Sequence, residues 1–195
     1  AGSGNYENGT DATLTATANT GYEFEKWSDN TTENPYTFAV NAPVELTASF
    51  KVITYNVSYD LDGGSAAAVL PSSYTIESEA FTLPTPTKTG YTFAGWTGTD
   101  LDAASTEVSV PTGSTGDRSY TATWQINQYT ITFDTDGGSE VAAITQDYAT
   151  EVTAPANPTK TGYTFTGWSP AVPETIPAED VTITAQWQIN QYTIT

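Results

Sequence analysis

Lys160-Thr161-Gly162-Tyr163-Thr164-Phe165-Thr166-Gly167-Trp168 recurs almost unchanged at Lys88 to Trp96 and, more loosely, at Thr20 to Trp27. All three copies read Thr-Gly-Tyr-x-Phe-x-x-Trp. Aromatics held in register three times mark an internal repeat, and a repeat overrides chain length as the guide to domain count. Tyr163 and Phe165 stand two apart and share a face of an extended segment, whereas Trp168 has the opposite parity. The chain must therefore bend between Phe165 and Trp168 for all three rings to reach one core, and Gly167 and Gly95 suit that bend. Lys26 stands there in the first copy, so the bend does not strictly demand a glycine-only backbone. Large rings at fixed positions are first a statement about packing. The expected cores hold Tyr22, Phe24, Trp27 and Phe50 in the first unit, Tyr91, Phe93, Trp96 and Trp124 in the second, and Tyr163, Phe165, Trp168 and Trp187 in the third.

Working outward, the first unit opens on a turn-rich stretch from Gly2 to Gly9 and continues with a strand from Thr10 to Thr17, where Ala12, Leu14 and Ala16 alternate with polar residues. A polar loop through Asn34-Pro35 leads to Val44, Leu46, Ala48 and Phe50, which are expected to face inward. Unlike the later units, this one lacks a convincing first strand before its Gly-rich opening, and it is expected to be truncated at its N-terminus. The second unit begins with Tyr55, Val57 and Tyr59 on one face. Asp60-Leu61-Asp62-Gly63-Gly64 follows and reads as a hairpin turn, as does Asp134-Thr135-Asp136-Gly137-Gly138 in the third. Strands are expected near Ser73 to Leu83 and around Thr150 to Ala154, and the last strands show Tyr120, Ala122 and Trp124, then Val181, Ile183, Ala185 and Trp187, in alternation. The separation of Tyr55 from Tyr129 nearly equals that of Trp96 from Trp168, while Trp124 and Trp187 lie closer together. The second unit's extra length thus falls between Thr97 and Ser119, the least repeated surface of the chain.

These boundaries give three mostly-β domains at about 1–52, 53–126 and 127–188. Four residues, Gln125-Ile126-Asn127-Gln128, link the second to the third and recur as Gln188 to Gln191. Residues 189–195 copy the opening of the third unit, so they are expected to start a further repeat and to be poorly ordered or paired with another molecule.

The second and third units resemble the Listeria–Bacteroides repeat, also called the internalin B-repeat. The resemblance rests on the Tyr-x-[Val/Ile]-x-[Tyr/Phe]-Asp-x-Asp-Gly-Gly opening, the Pro-Thr-Lys-Thr-Gly-Tyr-Thr-Phe-x-Gly-Trp centre and the Ala-x-Trp-Gln close, from about Ile53 to Gln188. The first unit, with Gly21-Tyr22-Glu23-Phe24-Glu25-Lys26-Trp27 and Leu46-Thr47-Ala48-Ser49-Phe50, is similar to the divergent form of that repeat. The resemblance implies a small β-grasp-like fold with little or no helix, in bacterial surface or secreted proteins. It also implies a role as stalk, spacer or adhesive interaction region, without catalytic residues.

Composition narrows the function classes. Lys+Arg number 5 against 23 Asp+Glu, for a net charge of -18, which argues against nucleic acid and anionic membranes as partners. The chain has no His and no Cys, so the usual general base and thiol nucleophile are missing, and no enzymatic activity or cofactor is expected. The recurrent aspartate pairs Asp60/Asp62 and Asp134/Asp136 lack the further oxygen ligands of a calcium loop, since Pro71 and Thr145 stand where a bidentate Glu would be needed. A turn is the reading preferred to a cation site. Lys88 and Lys160 sit beside the aromatic runs, where stems lying over rings are preferred to an intramolecular Lys–Asn cross-link. The five Trp point inward by strand parity, which disfavours a sugar platform. Partners are then adjacent repeats, with a host or neighbouring-cell protein or glycan as the external candidate, at the cell surface or outside the cell. The alternative is a dedicated carbohydrate- or protein-binding module that uses the Thr97 to Ser119 insertion.

Overall fold

The computed structural model describes residues 4–66 and 68–195; Gly2 and Ser3 of the turn-rich opening lie outside them. The described residues are all-β, without a helix. The first unit contains β1 (Thr10–Leu14), β2 (Tyr22–Trp27), β3 (Tyr36–Val40) and β4 (Ala48–Val52). β1 pairs antiparallel with β3, and β2 with β4, as two separate ribbons. β3 is a strand where a polar loop was expected: Tyr36, Phe38 and Val40 alternate with exposed Thr37 and Ala39. The Asn34 side-chain amide extends the β1–β3 ladder, accepting from Ala16 N–H at 2.8 Å and donating to Ala16 C=O at 2.7 Å.

The second unit is built from β5 (Tyr55–Asp60), β6 (Ser73–Tyr74), β7 (Phe81–Thr82), β8 (Tyr91–Gly98), β9 (Ser109–Val110) and β10 (Arg118–Ile126). Its main sheet runs β6-β5-β10-β8, with β5 and β10 parallel at the centre and antiparallel strands on both flanks. The third unit repeats this sheet with β11 (Gln128–Asp134), β12 (Ile144–Asp147), β13 (Tyr163–Ser169) and β14 (Val181–Ile189), in the order β12-β11-β14-β13. First and last strands lie side by side at the centre, as in a β-grasp sheet, but the segment joining the second strand to the third is extended. In the second unit that segment contributes β7, which pairs with β9 and places Leu83, Val108 and Val110 in the core beside Trp96 and Tyr120. In the third unit Val152 N–H donates to Glu174 C=O and Ile176 N–H to Thr150 C=O, and Ile176 closes a core of Ile131, Phe133 and Ile183.

The bend expected in the signature is present in every unit. Ladder register slips between Phe24 and Lys26, opposite the Phe93 to Gly95 step, and between Phe165 and Gly167, which puts one extra residue in each bulge. Gly95 and Gly167 take φ of 135° and 139°, whereas Lys26 turns without positive φ. The bulge restores parity, so Phe93 and Trp96 meet edge to face at 5.6 Å, and Phe165 and Trp168 at 5.3 Å.

Three expectations need correction. Strand β4 begins only at Ala48; Val44 is 56% exposed and Phe50 39% exposed. Phe50 does meet Phe24 edge-on, but the two-stranded ribbon has no second layer to cover that end. The stretch from Ser73 to Leu83 forms two short strands in different sheets, separated by a turn in which Ser78 N–H donates to Thr75 C=O. Residues 150–154 form no strand beyond a single bridge of Glu151 to Thr175, and the edge strand of the third unit is β12 instead. The Asp-x-Asp-Gly-Gly turns are tight and open the long connections between consecutive antiparallel strands, β5 with β6 and β11 with β12, and the chain leaving the first turn pairs Ser65 with Thr87 on its way.

Candidate functional site

Two constellations recur, and an insertion does not. The first is a clasp built on the Asp-x-Asp-Gly-Gly turn. Asp62 and Gly63 take φ of 46° and 76°, and Asp136 and Gly137 of 47° and 79°, the doubly positive pair of a type I′ turn. Gly64 N–H donates to Leu61 C=O to close it, and Asp60 Oδ1 accepts from Asp62 N–H at 2.9 Å. The second glycine has a different reason. A Cβ on Gly64 would run into the Trp124 ring, and one on Gly138 would lie 2.5 Å from Trp187. The indole packs against the turn and donates from Nε1 to its backbone, Trp124 to Leu61 C=O at 3.1 Å and Trp187 to Thr135 C=O at 3.0 Å. Lys88, just ahead of β8, donates to Asp62 C=O at 2.6 Å and lies over the rings of Tyr91 and Trp124. Lys160 does the same with Asp136 C=O, Tyr163 and Trp187.

This clasp saturates its own polar groups. The ion pairs, Lys88 to Asp62 at 3.4 Å and Lys160 to Asp136 at 3.5 Å, leave both carboxylates largely in water, where such pairs contribute at most about 1 kcal/mol. The lysines meet aspartates rather than the asparagine a Lys–Asn cross-link would need. Among the described residues, no group of three or more His, Cys, Asp or Glu side chains is gathered to hold a metal ion.

The aromatic positions divide into two sorts. Trp27 and Trp96 are 1% and 0% exposed, and Phe24, Phe93, Phe165, Trp124, Trp168 and Trp187 are half-buried against one another. The signature tyrosines sit differently. Tyr22 and Tyr91 are half-buried and Tyr163 is 38% exposed, because each lies at the edge of its unit and not in the core. None of the five indoles is presented as an exposed platform.

The second recurrent constellation is the joint between units, which sequence reasoning did not identify. The carbonyl of the signature glycine accepts a hydrogen bond from the linker that follows its unit: Gly21 C=O from Ile53 N–H, Gly90 C=O from Asn127 N–H, and Gly162 C=O from Asn190 N–H, at 2.9 to 3.0 Å. A side chain of the next unit covers the glycine face. A Cβ on Gly21 would come within 2.6 Å of Ile76, and one on Gly90 would collide with the Tyr148 ring. The neighbouring tyrosine reaches across as well. Tyr22 donates to Glu77 Oε1 at 2.7 Å, and this hydrogen bond, with burial and the carboxylate charge adding to it, holds the Tyr22 phenol above its ordinary value. Tyr91 meets Tyr148 edge to face at 6.1 Å. The only signal in the sequence was the glycine before each signature tyrosine, and its partners lie in another unit.

The insertion at residues 97–119 is half structural. Ser105 pairs with Trp96 in both directions, Trp96 N–H to Ser105 C=O and Ser105 N–H to Trp96 C=O, and Val108 and Val110 are core residues. At its base Arg118, itself nearly buried, donates to Asp100 Oδ2 at 2.7 Å and to the hydroxyls of Tyr74 and Tyr120. Burial alone would lower the Arg118 pKa, but the hydrogen bonds to Tyr120, Tyr74 and Asp100 outweigh it and hold the guanidinium charged. The Tyr74 hydroxyl in turn donates to Gly116 C=O at 2.6 Å. What remains exposed is the turn around residues 111–117, where a Cβ placed on Gly113 or Gly116 would meet nothing within 4 Å.

Comparison with known proteins agrees with the repeated geometry. Residues 1–54 match the divergent InlB B-repeat domain, and residues 55–122 and 129–186 each match the Listeria-Bacteroides repeat domain. A putative membrane protein of Evansella cellulosilytica is 31% identical over 89% of the chain and 28% of its own length. A putative Gly-rich membrane protein of the same organism is 31% identical over 89% of the chain and 22% of its length. Internalin H of Listeria monocytogenes is 32% identical over 70% of the chain and 25% of its length. The chain thus spans about a quarter of the length of these relatives. It belongs to the Listeria–Bacteroides repeat family, with a divergent InlB B-repeat as its first unit.

Proposed function

We propose that this chain is a jointed, non-enzymatic spacer in a bacterial cell-surface or secreted protein, which holds other parts of that protein at a distance and offers its sides to a host or neighbouring-cell protein or glycan. The observation that supports it is the joint itself: two successive contacts, Gly21 with Ile76 and Gly90 with Tyr148, fasten neighbours that short linkers alone would leave free to swivel. The names of the relatives, membrane proteins and an internalin, favour the cell surface as the place of action. Units at 1–52, 53–126 and 127–188, each roughly 28 Å across by size scaling, would reach about 80–100 Å end to end. Small-angle scattering tests this. An elongated profile with a maximum dimension near that value is the expected result, and a compact globular profile overturns the reading.

The rival is a binding module that uses the insertion, and one observation favours it: the turn at residues 111–117 projects from a base anchored by Arg118. Loops held on a rigid frame are where binding residues concentrate. Glycan and host-protein arrays probed with the intact chain, and with a version whose residues 112–115 are all alanine, separate the two. Binding that depends on the turn establishes the module, and its absence with an elongated scattering profile leaves the spacer.

A further inference from the structure

The three signature glycines have the same backbone, with φ of 80° at Gly21, 77° at Gly90 and 80° at Gly162. Each gives its carbonyl to the linker N–H that follows its unit. Their surroundings differ in one respect. Gly21 and Gly90 are buried beneath Ile76 and Tyr148, while nothing comes within 4 Å of a Cβ placed on Gly162. Beside it Tyr163 stands exposed where Tyr22 and Tyr91 have partners.

The polar half of the joint is nevertheless already assembled around Gly162. Thr92 Oγ1 donates to Asn127 Oδ1 at 2.6 Å in the closed second joint, and Thr164 Oγ1 donates to Asn190 Oδ1 at 2.6 Å beside the open face. Asn127 Nδ2 reaches the Tyr129 hydroxyl at 3.3 Å, and Asn190 Nδ2 reaches the Tyr192 hydroxyl at 3.5 Å. The linker backbone and side chain therefore hold at Gly162 the arrangement that at Gly90 receives Tyr148, whose N–H donates to Asn127 C=O at 2.9 Å. We infer that the Gly162–Tyr163–Thr164 face with Asn190 is a docking seat for another repeat of this same kind, which presents a tyrosine or branched aliphatic side chain onto Gly162. This rests on the reading of the chain as a jointed array and is independent of where that array is displayed. A flat glycine bounded by an aromatic edge selects for such an occupant, since any Cβ at Gly162 would occupy the space the ring fills at Gly90. A glycan has no such need of a bare backbone.

The sequence supplies its own test. Residues 191–195 read the same as residues 128–132, so appending a copy of residues 133–195 after Thr195 builds a fourth unit in register. The chain contains no cysteine, which lets nitroxide labels be placed at Thr132→Cys and Thr195→Cys, equivalent positions in the third and fourth units, and at Ser58→Cys with Thr132→Cys across the existing joint. Pulsed electron resonance then reads the distance distributions. The expected result is a single narrow peak for both pairs. Gly162→Val should abolish the narrow peak of the appended joint and leave the Ser58/Thr132 peak intact, and Gly90→Val should do the reverse. Because valine at a positive φ strains its own unit, alanine at the appended counterpart of Tyr148 provides a second route to the same loss. A broad distribution in the unmodified extended chain overturns the inference, as does a narrow one that survives both substitutions. Elongated scattering of the natural chain with a broad appended joint would sink the seat and keep the spacer, whereas compact scattering would sink the spacer whatever the labels report.

Discussion

Trp96 and Trp168 occupy the same place in two units with the same sheet, on equivalent bulges, yet the first is sealed and the second is half open. The difference lies in what crosses over them. In the second unit the insertion returns across the bulge, pairs Ser105 with Trp96, and adds Leu101, Val108 and Val110 to the packing. In the third, the shorter connection supplies Val172 and Ile176, and Trp168 rests on Phe133 and Phe165 without a lid. A stretch that reads as a variable binding loop is thus, over much of its length, a roof. The comparison teaches that extra length in one repeat was spent first on burial, and only its tip is free for anything else.

The largest effect that could break this comparison comes from removing the rings. Trp96→Ala should destabilise the second unit by about 3–5 kcal/mol, the usual loss for a sealed aromatic site, and Trp168→Ala the third by about 2–3 kcal/mol, since part of that ring already meets water. Denaturant unfolding with probes in each unit measures both. Equal losses would mean that the insertion does not seal Trp96 in solution.

A finer test lies at the bulge glycines. Both have φ near 140°, so alanine strains both alike, but a Cβ on Gly95 would also meet the Ser105 backbone at 2.7 Å, while one on Gly167 meets nothing. Gly95→Ala should therefore cost about 1–3 kcal/mol more than Gly167→Ala, the range expected for forced overpacking. Thermal midpoints of the two variants give the difference. If it vanishes, the roof is mobile enough to lift.

The smallest effect is a pH dependence that separates the second unit from the third. Tyr59, pushed up to about 12 from the ordinary 10.0 by burial and then by the nearby Tyr120, has Phe133 at the equivalent place in the third unit. A raised phenol pKa favours the folded state while the phenol is neutral. The contribution is fully present below pH 10 and is lost as pH rises toward 12. The second unit should weaken over that window while the third does not, and Tyr59→Phe should remove the dependence. Alkaline unfolding followed unit by unit would show it, and parallel behaviour of the two units would refute it.

How much of this was legible in the sequence depended on how local the signal was. The bulge followed from parity, because Phe165 and Trp168 cannot share a face without it. The Asp-Gly-Gly turn followed from residue type, but its partners did not, because the chain beyond it pairs with Thr87 and the strand before it with β10, both far along the sequence. Strand β3 was readable in Tyr36-Thr37-Phe38-Ala39-Val40 and was lost behind Asn34-Pro35, which punctuates the chain just ahead of it. Strand β12 has a single large apolar residue, Ile144, and owes its existence to pairing with β11 and not to its own pattern. The joint was the least legible feature. A glycine at positive φ looks the same in sequence whether a neighbour's ring or water lies above it, and only the contact with Tyr148 separates the two.

The central pairing of β5 with β10 and of β11 with β14 also has a mechanical meaning. A force transmitted along the array enters each later unit at the start of its first strand and leaves at the end of its last. Those two strands are parallel neighbours, with Val57 beside Arg118 and Asp60 beside Thr121 in one unit, and Ile131 beside Val181 in the other. Tension therefore slides them past each other and loads all the bridging hydrogen bonds at once, where an antiparallel pair pulled from one end would open a bond at a time. Among the described residues the first unit pairs its strands only antiparallel, β1 with β3 and β2 with β4, so this shearing geometry is built there by neither ribbon.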